Sequence, residues 1–73
     1  MVGMVYPNPS NGNLTLSQKH LISSITVYNT KGSFVYEAEG LLRNINLHHL
    51  PKGNYLLNIE TENAVYVQKI IIF

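Results

Sequence analysis

The chain has 73 residues with five Lys plus Arg, four Glu and no Asp, a formal charge of +1, and its cations Lys19, Lys31, Arg43, Lys52 and Lys69 stand singly, so it offers no electrostatic footprint for nucleic acid or an anionic membrane. It has no cysteine, which removes the disulfide restraint of many small secreted domains, and its longest apolar runs, such as Ile70, Ile71, Ile72 and Phe73, fall far short of a membrane-spanning helix. At this length one domain over residues 1–73 is expected, near the lower limit for a core that folds unaided. Burial of about 7,500 Å² of surface, about 60% of it apolar, contributes on the order of 110 kcal/mol. Ordering the chain at roughly 1.5 kcal/mol per residue costs about as much, so stability is expected to be marginal. The opening MVGMVYPNP has neither the charged region nor the apolar core of a signal peptide, and nothing in it is expected to direct its own export.

Residues 2–6 read as a short first strand, stopped by Pro7 and Pro9, which remove two backbone donors and favour extended geometry at Tyr6 and Asn8. A strand so bounded belongs on an edge. Asn11 and Gly12 give a turn signal because both tolerate positive φ. Leu14 and Leu16 then point to one side of a second strand, with Asn13, Thr15 and Ser17 on the other. After a polar connection over residues 18–21, residues 22–28 form a third strand, with Ile25 and Val27 on one face and Ile22 in phase with Ser24, Thr26 and Tyr28 on the other. Asn29, Thr30, Lys31 and Gly32 suit a type I turn with Gly32 in the left-handed position. Residues 34–38 return as a fourth strand, Val35 on one face and Phe34 and Tyr36 on the other. Residues 39–42 loop around Gly40, and residues 44–48 alternate cleanly with Ile45 and Leu47 inward.

Residues 51–73 carry the strongest pattern. Pro51, Lys52 and Gly53 suit a type I turn after Leu50. Tyr55, Leu57 and Ile59 then share one face of a strand whose other face is Asn54, Leu56, Asn58 and Glu60. Residues 61–64 are polar enough to turn, and residues 65–73 make the second strand of a hairpin. Past Gln68 and Lys69 this strand is apolar on both faces, at Ile70, Ile71, Ile72 and Phe73. Either the fold covers both faces, or this end is an apolar edge kept for another protein. Lys69 reads on physical grounds as a cation that blunts an edge against aggregation, with a recognition point as the alternative. About seven short strands without an amphipathic helical segment indicate an all-β fold. We expect a compact immunoglobulin-like antiparallel β-sandwich, with a five-stranded oligonucleotide-binding barrel as the alternative.

No residue set for catalysis stands out. His48 and His49 are adjacent at a strand end, so their side chains leave on opposite faces, and no Cys or Asp completes a metal shell. Glu37 with Glu39, and Glu60 with Glu62, lie two apart and read as a solvated face rather than as carboxyls opposed across a cleft. No nucleophile turn accompanies Ser, His and Glu, and the glycines stand apart from one another, without a phosphate loop. Tyr28, Phe34 and Tyr36 lack the basic groove of a base-stacking surface, so packing is their expected role. The expectation is a domain that is not an enzyme, holds no metal or cofactor, and binds no nucleic acid.

Four segments taken together, residues 6–16 (YPNPSNGNLTL), 25–36 (ITVYNTKGSFVY), 45–59 (INLHHLPKGNYLLNI) and 67–72 (VQKIII), resemble the type A C-terminal sorting domain of the type IX, or Por, secretion system. The resemblance runs through essentially the whole chain, in the family's order and spacing. It implies a sandwich without enzymatic activity at the end of a larger secreted protein. The N-terminally fused cargo would pass through the periplasm and then an outer-membrane translocon that recognises this domain, and a surface sortase would commonly cleave just before it. The family's Tyr-Pro-Asn-Pro start maps onto Tyr6, Pro7, Asn8 and Pro9, and Gly32 lies within the second matching segment. Its Pro-x-Gly-x-Tyr stretch maps onto Pro51, Gly53 and Tyr55, and its terminal Lys with apolar residues onto Lys69, Ile70, Ile71 and Ile72. Where the family often has Gly between the last two strands this chain has Asn63, which tolerates the same left-handed backbone. The resemblance makes Lys69, with the exposed part of residues 70–73 up to Phe73, the expected translocon contact. A carbohydrate-binding or adhesive accessory module, and a homodimer through an exposed strand edge, are the alternatives from other classes.

Overall fold

The computed structural model describes residues 5–7, 9, 11–16, 21–40 and 43–73. The expectations for residues 2–4 of the first strand, for Asn8, for Ser17 and the connection up to residue 20, and for Leu41 and Leu42 lie outside the described residues. Seven strands are present among the described residues: β1 (Val5–Tyr6), β2 (Asn13–Leu16), β3 (Ile22–Asn29), β4 (Phe34–Glu39), β5 (Asn44–Asn46), β6 (Gly53–Thr61) and β7 (Val65–Ile72). They form two antiparallel sheets, β1-β2-β5 and β4-β3-β6-β7. This is a small sandwich of the expected kind, and two separate sheets replace the barrel alternative. β1 ends at a cis Tyr6–Pro7 peptide and lies on an edge, where its prolines cost no ladder bond.

The core fills the space between the sheets. Val5, Leu14, Leu16, Ile45 and Leu47 come from the three-stranded side, and Ile22, Ile25, Val27, Tyr55, Leu57, Ile59, Ile70 and Ile72 from the other. The period-two pattern of β2 and β6 survives intact, since Leu14 and Leu16, and Tyr55, Leu57 and Ile59, are all buried. Two bulges break the pattern elsewhere. The β3–β6 register shifts between Ile22 and Ser24. That extra residue turns Ile22 into the core beside Ile25, against the expected phase. The β3–β4 register shifts between Val27 and Tyr28, so Tyr36 opposes Val27 and Ala38 opposes Ile25. Tyr36 and Ala38 therefore face inward and Phe34 outward, and Val35 also packs on the core rim.

Turn chemistry follows the sequence in part. Gly32 has φ +81, and its N–H donates to the Asn29 carbonyl at 3.0 Å, as the expected β3–β4 turn requires. The Asn29 side-chain oxygen accepts from the N–H groups of Lys31 and Ser33. Of Asn11 and Gly12 only Gly12 takes a positive φ, +114. A Cβ there would lie 3.0 Å from the His48 backbone nitrogen, so glycine is needed for a close approach as well as for conformation. The turn expected after Leu50 falls earlier: the Leu50 N–H donates to the Leu47 carbonyl at 3.0 Å, placing His48 and His49 in the turn and not on a strand. Asn63 does not adopt the left-handed backbone, since no described non-glycine residue has positive φ. Thr61 closes that turn instead. Its hydroxyl donates to the Ala64 carbonyl and accepts from the N–H groups of Asn63 and Ala64.

Candidate functional site

The Pro51, Gly53 and Tyr55 motif is a structural corner. Gly53 opens β6 at φ +151, and the Tyr55 hydroxyl, two residues on, donates to the Pro51 carbonyl. A tyrosine near the start of the sixth strand, bonded to backbone a few residues upstream, is the tyrosine corner of immunoglobulin-like sandwiches. Pro51 supplies a rigid carbonyl, Gly53 the backbone that brings the ring back over it, and Tyr55 the donor. Tyr6, Pro7 and Pro9 are exposed beside the β1 edge.

The end of the chain alternates strictly. Ile70 and Ile72 are buried, so of the expected contact residues these two serve the core. Lys69 is exposed, with Ile71 at 46% and Phe73 at 64% exposure. Counting back by two from Lys69 adds Val67 at 62% and Val65 at 60%. The outward face of β7 is thus a stripe of Val65, Val67, Lys69, Ile71 and Phe73, apolar except for one cation. The inward face holds Gln68, whose side chain bridges to the other sheet: its Nε2 donates to the Val5 carbonyl at 2.7 Å and its Oε1 accepts from the Val5 N–H at 3.2 Å.

The pairing carries this stripe onto the rest of the four-stranded sheet. Tyr28 opposes both Phe34 and Leu56, and Leu56 opposes Lys69, so one outward row crosses all four strands as Phe34, Tyr28, Leu56 and Lys69. A depression of about 350 Å³ lies along it, lined by Tyr28, Thr30, Asn54, Leu56 and Lys69 among others. The opposite end of the same face is acidic. Glu37, Glu39, Glu60 and Glu62, the chain's only carboxylate side chains, all line a second depression of about 720 Å³. Sequence reading paired them two and two; the β3–β4 and β3–β6 registers bring Glu37, Glu39 and Glu60 together, and Glu62 joins them from the turn after β6. It also missed Val65, Val67 and Tyr28 as parts of this surface, although period-two counting from Lys69 identifies the first two.

A family model described as a secretion system C-terminal sorting domain matches residues 4–73. The chain belongs to this family, the C-terminal sorting domains of type IX secretion. No curated protein matches the chain. The sorting domain's role is that of a signal for export to the cell surface or for secretion, carried by a cargo protein. Its Tyr55 corner belongs to the fold, and its outward β7 stripe is exposed.

Proposed function

We propose that this sorting domain is a non-catalytic export signal for an N-terminally fused cargo, recognised in the periplasm by a component of the type IX outer-membrane translocon through Lys69, Ile71 and Phe73. The supporting observation is the outward face of β7, where four large apolar residues flank a single lysine and none is needed by the core. Exposed apolar area of this extent on a small domain is a liability unless a partner covers it. Ile70 and Ile72 hold the strand in place from the inward side, while Tyr6, Pro7, Pro9, Gly32, Pro51, Gly53 and Tyr55 shape the frame. Processing by a surface sortase after translocation completes the reading.

The test is a fluorescent reporter with a signal peptide and these residues at its C-terminus, followed in a bacterium with the type IX apparatus and in a strain lacking the translocon. Export in the parent and periplasmic retention in the mutant is the expected result. Lys69→Ala should reduce export at least about tenfold while the isolated domain's Tm moves by no more than about 4 °C, as for an exposed substitution. An intact, folded fusion that stays in the periplasm of both strains sinks the proposal.

A further inference from the structure

We propose that the open edge of β4 is a docking site for an extended segment of another protein that carries Lys or Arg at alternate positions, taken up as a further strand of the sheet. This edge lies on the far side of the sheet from β7, so the inference stands apart from the sorting reading. Among the described residues β4 pairs with β3 on one side and with no strand on the other. The ladder shows which of its groups face outward. The Gly40 N–H donates to the Ser23 carbonyl at 2.9 Å, and backbone groups alternate sides along an antiparallel strand. Ala38, opposite Ile25, and Tyr36, opposite Val27, thus turn their N–H and carbonyl groups toward β3. Glu37 and Glu39 turn theirs away. No described residue bonds these outward N–H and carbonyl groups, and such a row is the template that an added strand pairs with.

Charge selects the occupant. The Glu37 and Glu39 side chains are exposed on the outer face, and with Glu60 and Glu62 they line a depression that no Lys, Arg or His lines. A second copy of β4 is disfavoured here. Antiparallel pairing through the same groups sets Glu37 of one chain against Glu39 of the other, and like charges directly opposite destabilise a ladder. On any partner, the residues bonded to Glu37 and Glu39 come within about 5.5 Å, Cα to Cα, with their side chains on the same face as the two carboxylates. Lys or Arg in those places forms charge-assisted pairs, whereas a neutral segment has the backbone bonds alone. The residue between them points to the other face of the sheet. There Tyr36 and Ala38 are half-buried against the core, and the Tyr36 ring lies 5.5 Å from that of His49. An apolar side chain in that place extends this rim. The segment that fits is therefore basic, apolar and basic in turn.

The experiment is a ¹⁵N–¹H NMR titration of the 73-residue chain with the capped peptide acetyl-Thr-Val-Lys-Val-Lys-Val-Thr-amide, its counterpart with Gln for both Lys, and the Lys peptide N-methylated at both Lys. The Lys peptide should give saturable shifts along β4 and bind at least about threefold more tightly than the Gln peptide in low salt, a margin that added salt erodes. Solvent exchange should slow at the amides of Glu37 and Glu39 and change little at Tyr36 and Ala38, which are already bonded to β3. The N-methylated peptide keeps its charge and loses the donors that face the edge, so its binding should be lost. Replacing both acids, Glu37→Gln with Glu39→Gln, should remove the margin between the Lys and Gln peptides while the dispersed spectrum of the folded domain remains. Equal affinity for the Lys and Gln peptides, undiminished binding of the N-methylated peptide, shifts centred on Leu56 and Lys69, or no saturable shift overturns the proposal.

Discussion

Tyr55 shows how a single side chain ties a motif to a fold. Its ring is in the core while its hydroxyl reaches the Pro51 carbonyl at the surface end of the strand. The spacing of Pro51, Gly53 and Tyr55 is therefore a requirement of the corner. Tyr55→Phe keeps the ring and removes the donor, and since the exposed Pro51 carbonyl can turn to water, the loss should be modest, about 0.5–1.5 kcal/mol in urea unfolding. Export of the reporter should persist, because the residue does not reach the outward face. Lys69 is the converse case, where the export signal should fall and stability should not.

At the scale of elements, β7 does two jobs through its two faces. Ile70 and Ile72 fill the core, and the outward stripe stays in solvent. Gln68 is the inward polar residue of this strand. It stands opposite Leu57 and closes the sandwich by holding the Val5 N–H and carbonyl, taking the place of strand pairing between β7 and β1. Gln68→Ala leaves both backbone groups part-buried without that partner. It should cost about 1–2 kcal/mol, and the Val5 amide should exchange with solvent faster while amides of β3 and β6 keep their protection. Uniform loss of protection across both sheets would instead mean that Gln68 holds the whole core. The bulges show why other assignments missed. Ile22 and Tyr36 change sides because one extra residue in β3 against β6, and in β4 against β3, inverts the phase, and no residue at those positions announces it.

At the scale of the molecule, a small all-β domain without disulfides depends on few buried side chains. Leu57, fully buried at the centre of β6, is one of them. Leu57→Ala should cost about 2–5 kcal/mol, a large part of the stability such a domain can have, and should leave it largely unfolded in mild urea by circular dichroism. What the sequence by itself determined is local. The strands came from alternation of apolar residues, the Gly32 turn from the need for a left-handed residue, the edge position of β1 from its prolines, and the family from four ordered motifs spanning the chain. Only the tertiary structure decided which side Ile22 and Tyr36 take, because a bulge reverses phase without a sequence mark. Only it collected Phe34, Tyr28, Leu56 and Lys69 into one row and the four carboxylates around one depression, because cross-strand neighbours are set by register, and register is fixed by the packing of the whole sandwich.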